Sequence, residues 1–405
     1  MIQRQLYMNK LHNYMNQPEI VKIITGIRRC GKSVMLQQIR EELLRRGILS
    51  ENIISLNFED LRLRQYKQAE KLHDYLKEKI DILTGRVYLL LDEVQEVLNW
   101  ESCINSLRVN SNVDIYITGS NAHMLAGEYA TLMAGRYIEM QMHPFSYKEF
   151  TDALLQKQPE ISESEIFKSY LIFGGMPFLT TLGLDDSITK PYLHDIFTSV
   201  VIKDIMKRNH FRDVDLLERI ITYIMANVGK TFSAASISKF LKSENRKVSS
   251  DTVLNYLKGC EEAFLFYRVH RQEVVGKKIL QVNEKYYIAD HGLREAIYGN
   301  NQRDIELVLE NIVYLELLRH GYTVTVGRIS GDKEIDFVCD KSGKRIYVQV
   351  CYLLASESTV KREFEVYASV PDNFPKYVIS MDEFDMSRDG IIHKNIKDFL
   401  LLNDY

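Results

Sequence analysis

Gly26-Ile27-Arg28-Arg29-Cys30-Gly31-Lys32-Ser33 is a complete GxxxxGK[ST] stretch, and its neighbours decide how it is read. The apolar run Val21 to Ile24 precedes it, and the amphipathic stretch Val34 to Leu44 follows. Strand, loop and helix in that order separate a phosphate-binding loop from a chance match. The glycines allow backbone N–H groups to turn inward around phosphate oxygens. The start of the following helix adds a partial positive charge. Lys32 has the length to reach β- and γ-phosphates, and the Ser33 hydroxyl can ligate Mg²⁺. Residues 26–33 together with Val34 are therefore expected to hold a nucleoside triphosphate.

Further along, Val87 to Leu91 (VYLLL) is followed by Asp92-Glu93. A continuous apolar run suits a strand covered on both faces of a parallel sheet. Open α/β sheets bind ligands at the carboxyl ends of their strands, where this acidic pair falls. Asp92 is expected to join the Mg²⁺ shell and Glu93 to polarise an attacking water. Val113 to Gly119 (VDIYITG), followed by Ser120-Asn121, reads as another central strand, and Ile53 to Phe58 as a further one. Either Ser120 or Asn121 could sense the γ-phosphate, though the same residue types also serve as helix caps. Arg136 lies past the last core strand. It could face a phosphate in cis, face one from a neighbouring subunit, or pair with a local acid.

Composition narrows the class. The 405 residues suit two or three domains, and 45% hydrophobic with 26% charged residues is ordinary for a globular protein. A formal net charge of −3 gives no global argument for nucleic acid. Cys30, Cys103, Cys260, Cys339 and Cys351 form no CxxC pair, so no zinc site or redox motif is expected. The scattered cysteines suit a reducing cytoplasm, and the polar first residues lack the apolar core of a signal sequence. No run of about 18 apolar residues suggests a membrane span.

The combination GIRRCGKS, LLLDEVQ, ITGSN and LMAGRYIEMQMHPFSYKEF, continued by YLIFGGMP at Tyr170–Pro177, resembles bacterial and archaeal AAA+-type ATP-binding proteins. In those proteins the ATPase domain precedes a C-terminal domain of uncharacterised function. The resemblance spans essentially the whole chain. It implies an α/β P-loop NTPase with an AAA+-like parallel sheet over 1–150. It also implies ATP and Mg²⁺ as ligands, sensor-1 duty near Asn121, and homo-oligomers as a possible assembly.

Beyond residue 150 the pattern is helical to about 215, interrupted at Gly174-Gly175-Met176-Pro177. Residues 216–290 read as helices followed by a β-hairpin, the order of a winged helix-turn-helix. Ser250, Thr252, Asn255 and Lys258 are its candidate recognition positions. Arg268, Arg271, Lys277 and Lys278 would line a wing able to meet DNA phosphates. Protein or intramolecular docking is an equal alternative, because the recognition helix carries Asp251 and few basic residues. Residues 291–405 resemble a restriction-endonuclease-like fold. An amphipathic helix carries Glu310, a strand carries Asp336, and the next strand carries Gln349 and Cys351 where an ExK or QxK triplet is expected. A thiol cannot replace a lysine, so the centre is expected to be catalytically degenerate unless a lysine is supplied from elsewhere. The functional expectation is a hydrolysing switch ATPase. The alternatives are an ATP-regulated DNA-processing or phage-defence protein and a non-hydrolysing scaffold.

Overall fold

Short runs rich in Val, Ile and Leu build the first sheet. They are β1 (Val21–Thr25), β2 (Ile53–Asn57), β3 (Val87–Asp92), β4 (Val113–Gly119) and β5 (Tyr137–Gln141). All are parallel, in the order β2-β3-β4-β1-β5. Strands β1, β3 and β4 are buried along their whole length, as sheets covered on both faces require. The helices are α1 (Gln5–His12), α2 (Lys32–Arg45), α3 (Ala69–Asp81) and α4 (Trp100–Asn110). Leu72, Leu76 and Ile80 form one stripe of α3, and Trp100, Cys103, Ile104 and Leu107 one stripe of α4. Both stripes join the core over β3 and β4, where each large side chain contributes about 1.5–3 kcal/mol by leaving water. The fifth strand, β5, was not legible as a strand in the sequence.

The computed structural model describes residues 2–125, 135–274, 279–329 and 333–405. It divides into Met1–His143 with the short piece Glu262–Phe264, and Pro144–Glu261 with Leu265–Tyr405. Among the described residues no helix is long and apolar enough to cross a membrane.

The second unit opens with α5 (Tyr147–Leu155), α6 (Glu163–Phe173), α7 (Leu179–Leu182) and α8 (Asp186–Ser199), then a π-helical stretch Val200–Lys207. Ser146 and Ser162 each start a helix with a full capping box, closed by Glu149 and Glu165. The turn after α6 is tight because Gly174 has φ +76°, and a Cβ there would lie 2.2 Å from Asp290 Oδ1. Asp290 accepts the Gly175 amide at 2.7 Å and caps the helix that follows it.

Next come α9 (Val214–Ala226), β6 (Thr231–Phe232), α10 (Ala234–Ser243), α11 (Ser250–Glu262), β7 (Phe266–Glu273) and β8 (Ile279–Ile288). The last part holds α12 (His291–Ile297), α13 (Ile305–Arg319), β9 (Thr323–Arg328), β10 (Glu334–Lys341), β11 (Lys344–Val350), α14 (Glu357–Glu365), β12 (Lys376–Ser380), β13 (Ile392–Asn395) and α15 (Ile396–Leu400). One mixed sheet runs through both parts, in the order β13-β12-β11-β10-β9-β7-β8-β6.

Two sequence expectations change here. The α13 helix is not amphipathic but buried on nearly every side, from Val308 to Leu317. The β7–β8 hairpin is not a free wing, because β7 also pairs in parallel with β9 through Arg271, Gln272 and Glu273. Arg271 is consequently a half-buried strand residue 3.4 Å from Glu334, and Arg268 pairs with Glu261 at 3.2 Å. Both arginines already have carboxylate partners, which lessens what they could offer a phosphate backbone. Lys277 and Lys278 lie outside the described residues. On α11, Asn255 and Lys258 are exposed.

Candidate nucleotide site and a lysine-centred acid cluster

The loop Gly26–Ser33 leaves the carboxyl end of β1 and enters α2 with Gly31 in the left-handed region, φ +107°. Gly26, at φ +141°, has no room for a side chain: a Cβ would sit 2.2 Å from the Met142 carbonyl oxygen. Lys32 is buried, and its Nζ donates to the carbonyls of Gly26 at 3.0 Å and Ile27 at 3.2 Å. The same ammonium lies 3.8 Å from Glu93 Oε1. Ser33, Val34 and Arg29 are exposed, Cys30 is buried, and Arg28 pairs with Glu59 at 3.1 Å.

Strand order explains the rest of the convergence. β4 lies between β1 and β3, so its carboxyl end meets both the loop and the acidic pair. Thr118 donates its hydroxyl to Asp92 Oδ1 at 2.5 Å and accepts the Glu93 amide at 2.9 Å. Asn57, at the end of β2, donates to Asp92 Oδ2 at 3.0 Å. Burial raises the Asp92 pKa, against hydrogen bonds from Ser33 and Thr118 that lower it. The Ser33–Asp92 contact brings together the hydroxyl and carboxylate that would share a Mg²⁺ shell, so this donor set fits the ion. Glu93 takes φ +53° and accepts Ser120 Oγ at 3.2 Å and the Gln95 side-chain amide. Asn121 is buried at the same strand end.

Arg136 is not brought to this cluster within the chain. Its carbonyl accepts the Val21 amide at 2.9 Å, at the amino end of β1, whereas the loop follows the carboxyl end. The length of β1, about 3.3 Å per residue, separates them, and Arg136 is exposed. Thr118, Asn57 and Gln95 were missed by sequence reasoning. The usable signal was their place at or just beyond strand ends beside the candidate site residues.

In the second unit, the residues expected of a nuclease centre do come together, around a cation. Lys285 Nζ, on β8, lies 3.0 Å from Glu310 Oε1, 3.0 Å from Glu334 Oε1 and 3.7 Å from Asp336 Oδ1. Tyr287 donates to Glu310 at 2.6 Å, and the Val350 amide to Asp336 at 2.9 Å. Burial pulls the Lys285 pKa down, but the surrounding carboxylates outweigh it and hold the ammonium charged. Burial and Glu310 push Asp336 well above the usual carboxylate range. Gln349 accepts the Asp336 amide at 3.2 Å and donates to Glu363 at 2.9 Å, and Cys351 is buried. Among the described residues no group of His, Cys, Asp and Glu is arranged to hold a metal ion. The Lys285 ammonium thus stands among these acids as their counter-ion.

Comparison with known proteins agrees with the first unit's geometry. Residues 18–151 match the AAA domain family, and residues 164–304 match a domain of unknown function. An uncharacterized protein of Haemophilus influenzae is 37% identical over 402 residues, covering 99% of each chain. An uncharacterized protein of Methanocaldococcus jannaschii is 29% identical over 363 residues, covering 86% of this chain and 78% of the other. A Walker-type ATPase of Pyrococcus abyssi superposes with a TM-score of 0.53 at 16% identity, covering 73% of this chain and 96% of that one, which shows a shared fold. The chain thus belongs to one family with the Haemophilus protein, and in this chain an AAA domain is followed by a domain of unknown function.

Proposed function

We propose that the chain binds ATP with Mg²⁺ at Gly26–Val34, hydrolyses it, and uses the cycle to rearrange its domains or assemble with copies of itself. The observation that carries this is the meeting of Lys32, Ser33, Asp92 and Glu93 at one end of the parallel sheet. Lys32 would exchange the carbonyls of Gly26 and Ile27 for phosphate oxygens. Ser33 and Asp92 would hold the Mg²⁺, which neutralises phosphate charge when bound. Glu93, aimed by Ser120 and Gln95, would accept a proton from water. Asn121, buried just past the end of β4 beside Ser120, would report the γ-phosphate. Arg136, exposed and remote from its own loop, is assigned to a neighbouring copy's site. The carboxylates around Lys285 are read as a structural centre without nuclease chemistry. Steady-state hydrolysis of Mg–ATP by the purified chain tests the proposal. Lys32→Ala should abolish turnover, and unchanged turnover would refute the assignment.

A further inference from the structure

Arg4 is among the most deeply buried charged residues of the chain, at 2% exposure, and nothing in the reading of the nucleotide site uses it. Its guanidinium donates Nη1 to the Cys30 carbonyl at 3.0 Å and Nη2 to the His143 carbonyl at 2.7 Å. The plane lies over the Tyr7 ring, 4.8 Å from its centre, and the Tyr7 hydroxyl accepts the His143 amide at 3.0 Å. The Arg4 amide donates to Gln38 Oε1 at 3.1 Å, and Gln38 Nε2 returns to the Ile2 carbonyl at 2.6 Å. Gln38 is on α2, the helix that the phosphate loop opens.

We propose that Arg4 is a positioning residue for the phosphate loop, so that the segment Ile2–His12 is a working part of the nucleotide site. The inference rests on reading Gly26–Ser33 as an ATP site. The Cys30–Gly31 peptide is planar and trans, so its C=O and N–H point in opposite directions. Holding the Cys30 carbonyl on Arg4 fixes the Gly31 N–H on the other side of that plane. Such loops bind phosphate through their N–H groups, and a wrongly turned peptide presents a carbonyl oxygen to an anion instead. Arg29 at φ +69° and Gly31 at φ +107° flank this peptide, so it sits in a turn that needs an outside restraint. The second fork of Arg4 supplies a fixed point, His143, just beyond Met142, whose amide donates to Thr25 at 2.8 Å. One rigid guanidinium thereby ties the loop to the strand end beside it, which a lysine's single ammonium cannot match in geometry.

The test compares wild type, Arg4→Lys and Arg4→Met as full chains, by calorimetric Mg–ATP binding and by KM and kcat for ATP. Loop amides contact phosphate in ground and transition states alike. Both Arg4 variants should therefore raise Kd and KM about tenfold or more with kcat little changed. Folded Arg4→Lys and Arg4→Met proteins with wild-type Kd and KM would overturn the proposal. If Arg4→Met does not fold, Arg4→Lys alone decides. A wild type that binds no ATP would overturn the reading of the loop, and this inference with it.

Discussion

The Glu93 amide donates to the Thr118 hydroxyl at 2.9 Å, from a backbone held in the left-handed region at φ +53°. Thr118 in turn donates to Asp92, so one hydroxyl orients both carboxylates of the acidic pair. Thr118→Val keeps the shape and removes the hydroxyl. The variant should still bind Mg–ATP but hydrolyse it about 10–100-fold more slowly, the scale of misplacing catalytic groups. Single-turnover rates check this. A wild-type rate would mean that Glu93 does not depend on this bond.

Arg136 gives a prediction about assembly. Its carbonyl is paired at the amino end of β1, away from the loop, which supports the proposal that it serves the site of another copy. Arg136→Ala and Lys32→Ala should each be inactive alone, and an equal mixture should regain part of the wild-type ATPase rate. A mixture as inactive as its components would remove Arg136 from the mechanism.

Lys285 should act as the internal counter-ion of the second unit. Lys285→Met leaves Glu310, Glu334 and Asp336 together without their ammonium. Breaking a buried pair this way should cost about 3–5 kcal/mol, read from urea denaturation. Added Mn²⁺ should restore part of that stability in the variant and leave wild type unchanged. A variant as stable as wild type would contradict the role given to the lysine.

The neighbours Asp290 and His291 set opposing pH dependences. Burial lowers the His291 pKa from its ordinary 6.5 to about 4, so acidification costs stability as pH falls from 6.5 towards 4. Burial raises Asp290 from 3.8 to about 6, so its contribution is present at low pH and lost as pH rises through 6. Removing only the first effect, His291→Gln should gain on wild type steadily between pH 6.5 and 4 in thermal midpoint. A difference that stays constant across that window would show that His291 titrates normally in the folded chain.

Sequence legibility followed the range of the interactions. The loop, the strand ending in Asp92-Glu93 and the strand ending at Gly119 were readable because each is a contiguous pattern with local physics. Thr118 and Asn57 were not singled out, because only the order β2-β3-β4-β1-β5 sets them against Asp92. The hairpin over 263–287 was visible, but its pairing with β9 joins residues more than fifty positions apart, so Arg271 looked free. The α13 helix shows alternating polar positions that suggest a solvent face. Glu310, Asn311 and Glu316 are instead buried and satisfied by Lys285, Ile288 and Arg319. Lys285 itself reads as an ordinary strand charge until the fold carries the acids to it.

The measurement that bears most directly on the account is ATP turnover by Glu93→Gln beside wild type, with Mg–ATP binding measured on the same samples. The amide that replaces the carboxylate retains hydrogen-bonding capacity but cannot take a proton. The variant should therefore bind ATP and hydrolyse it at least about 100-fold more slowly. A variant that hydrolyses ATP at the wild-type rate would contradict the assignment of Glu93 as the base, and with it the account of this site as a hydrolysing switch.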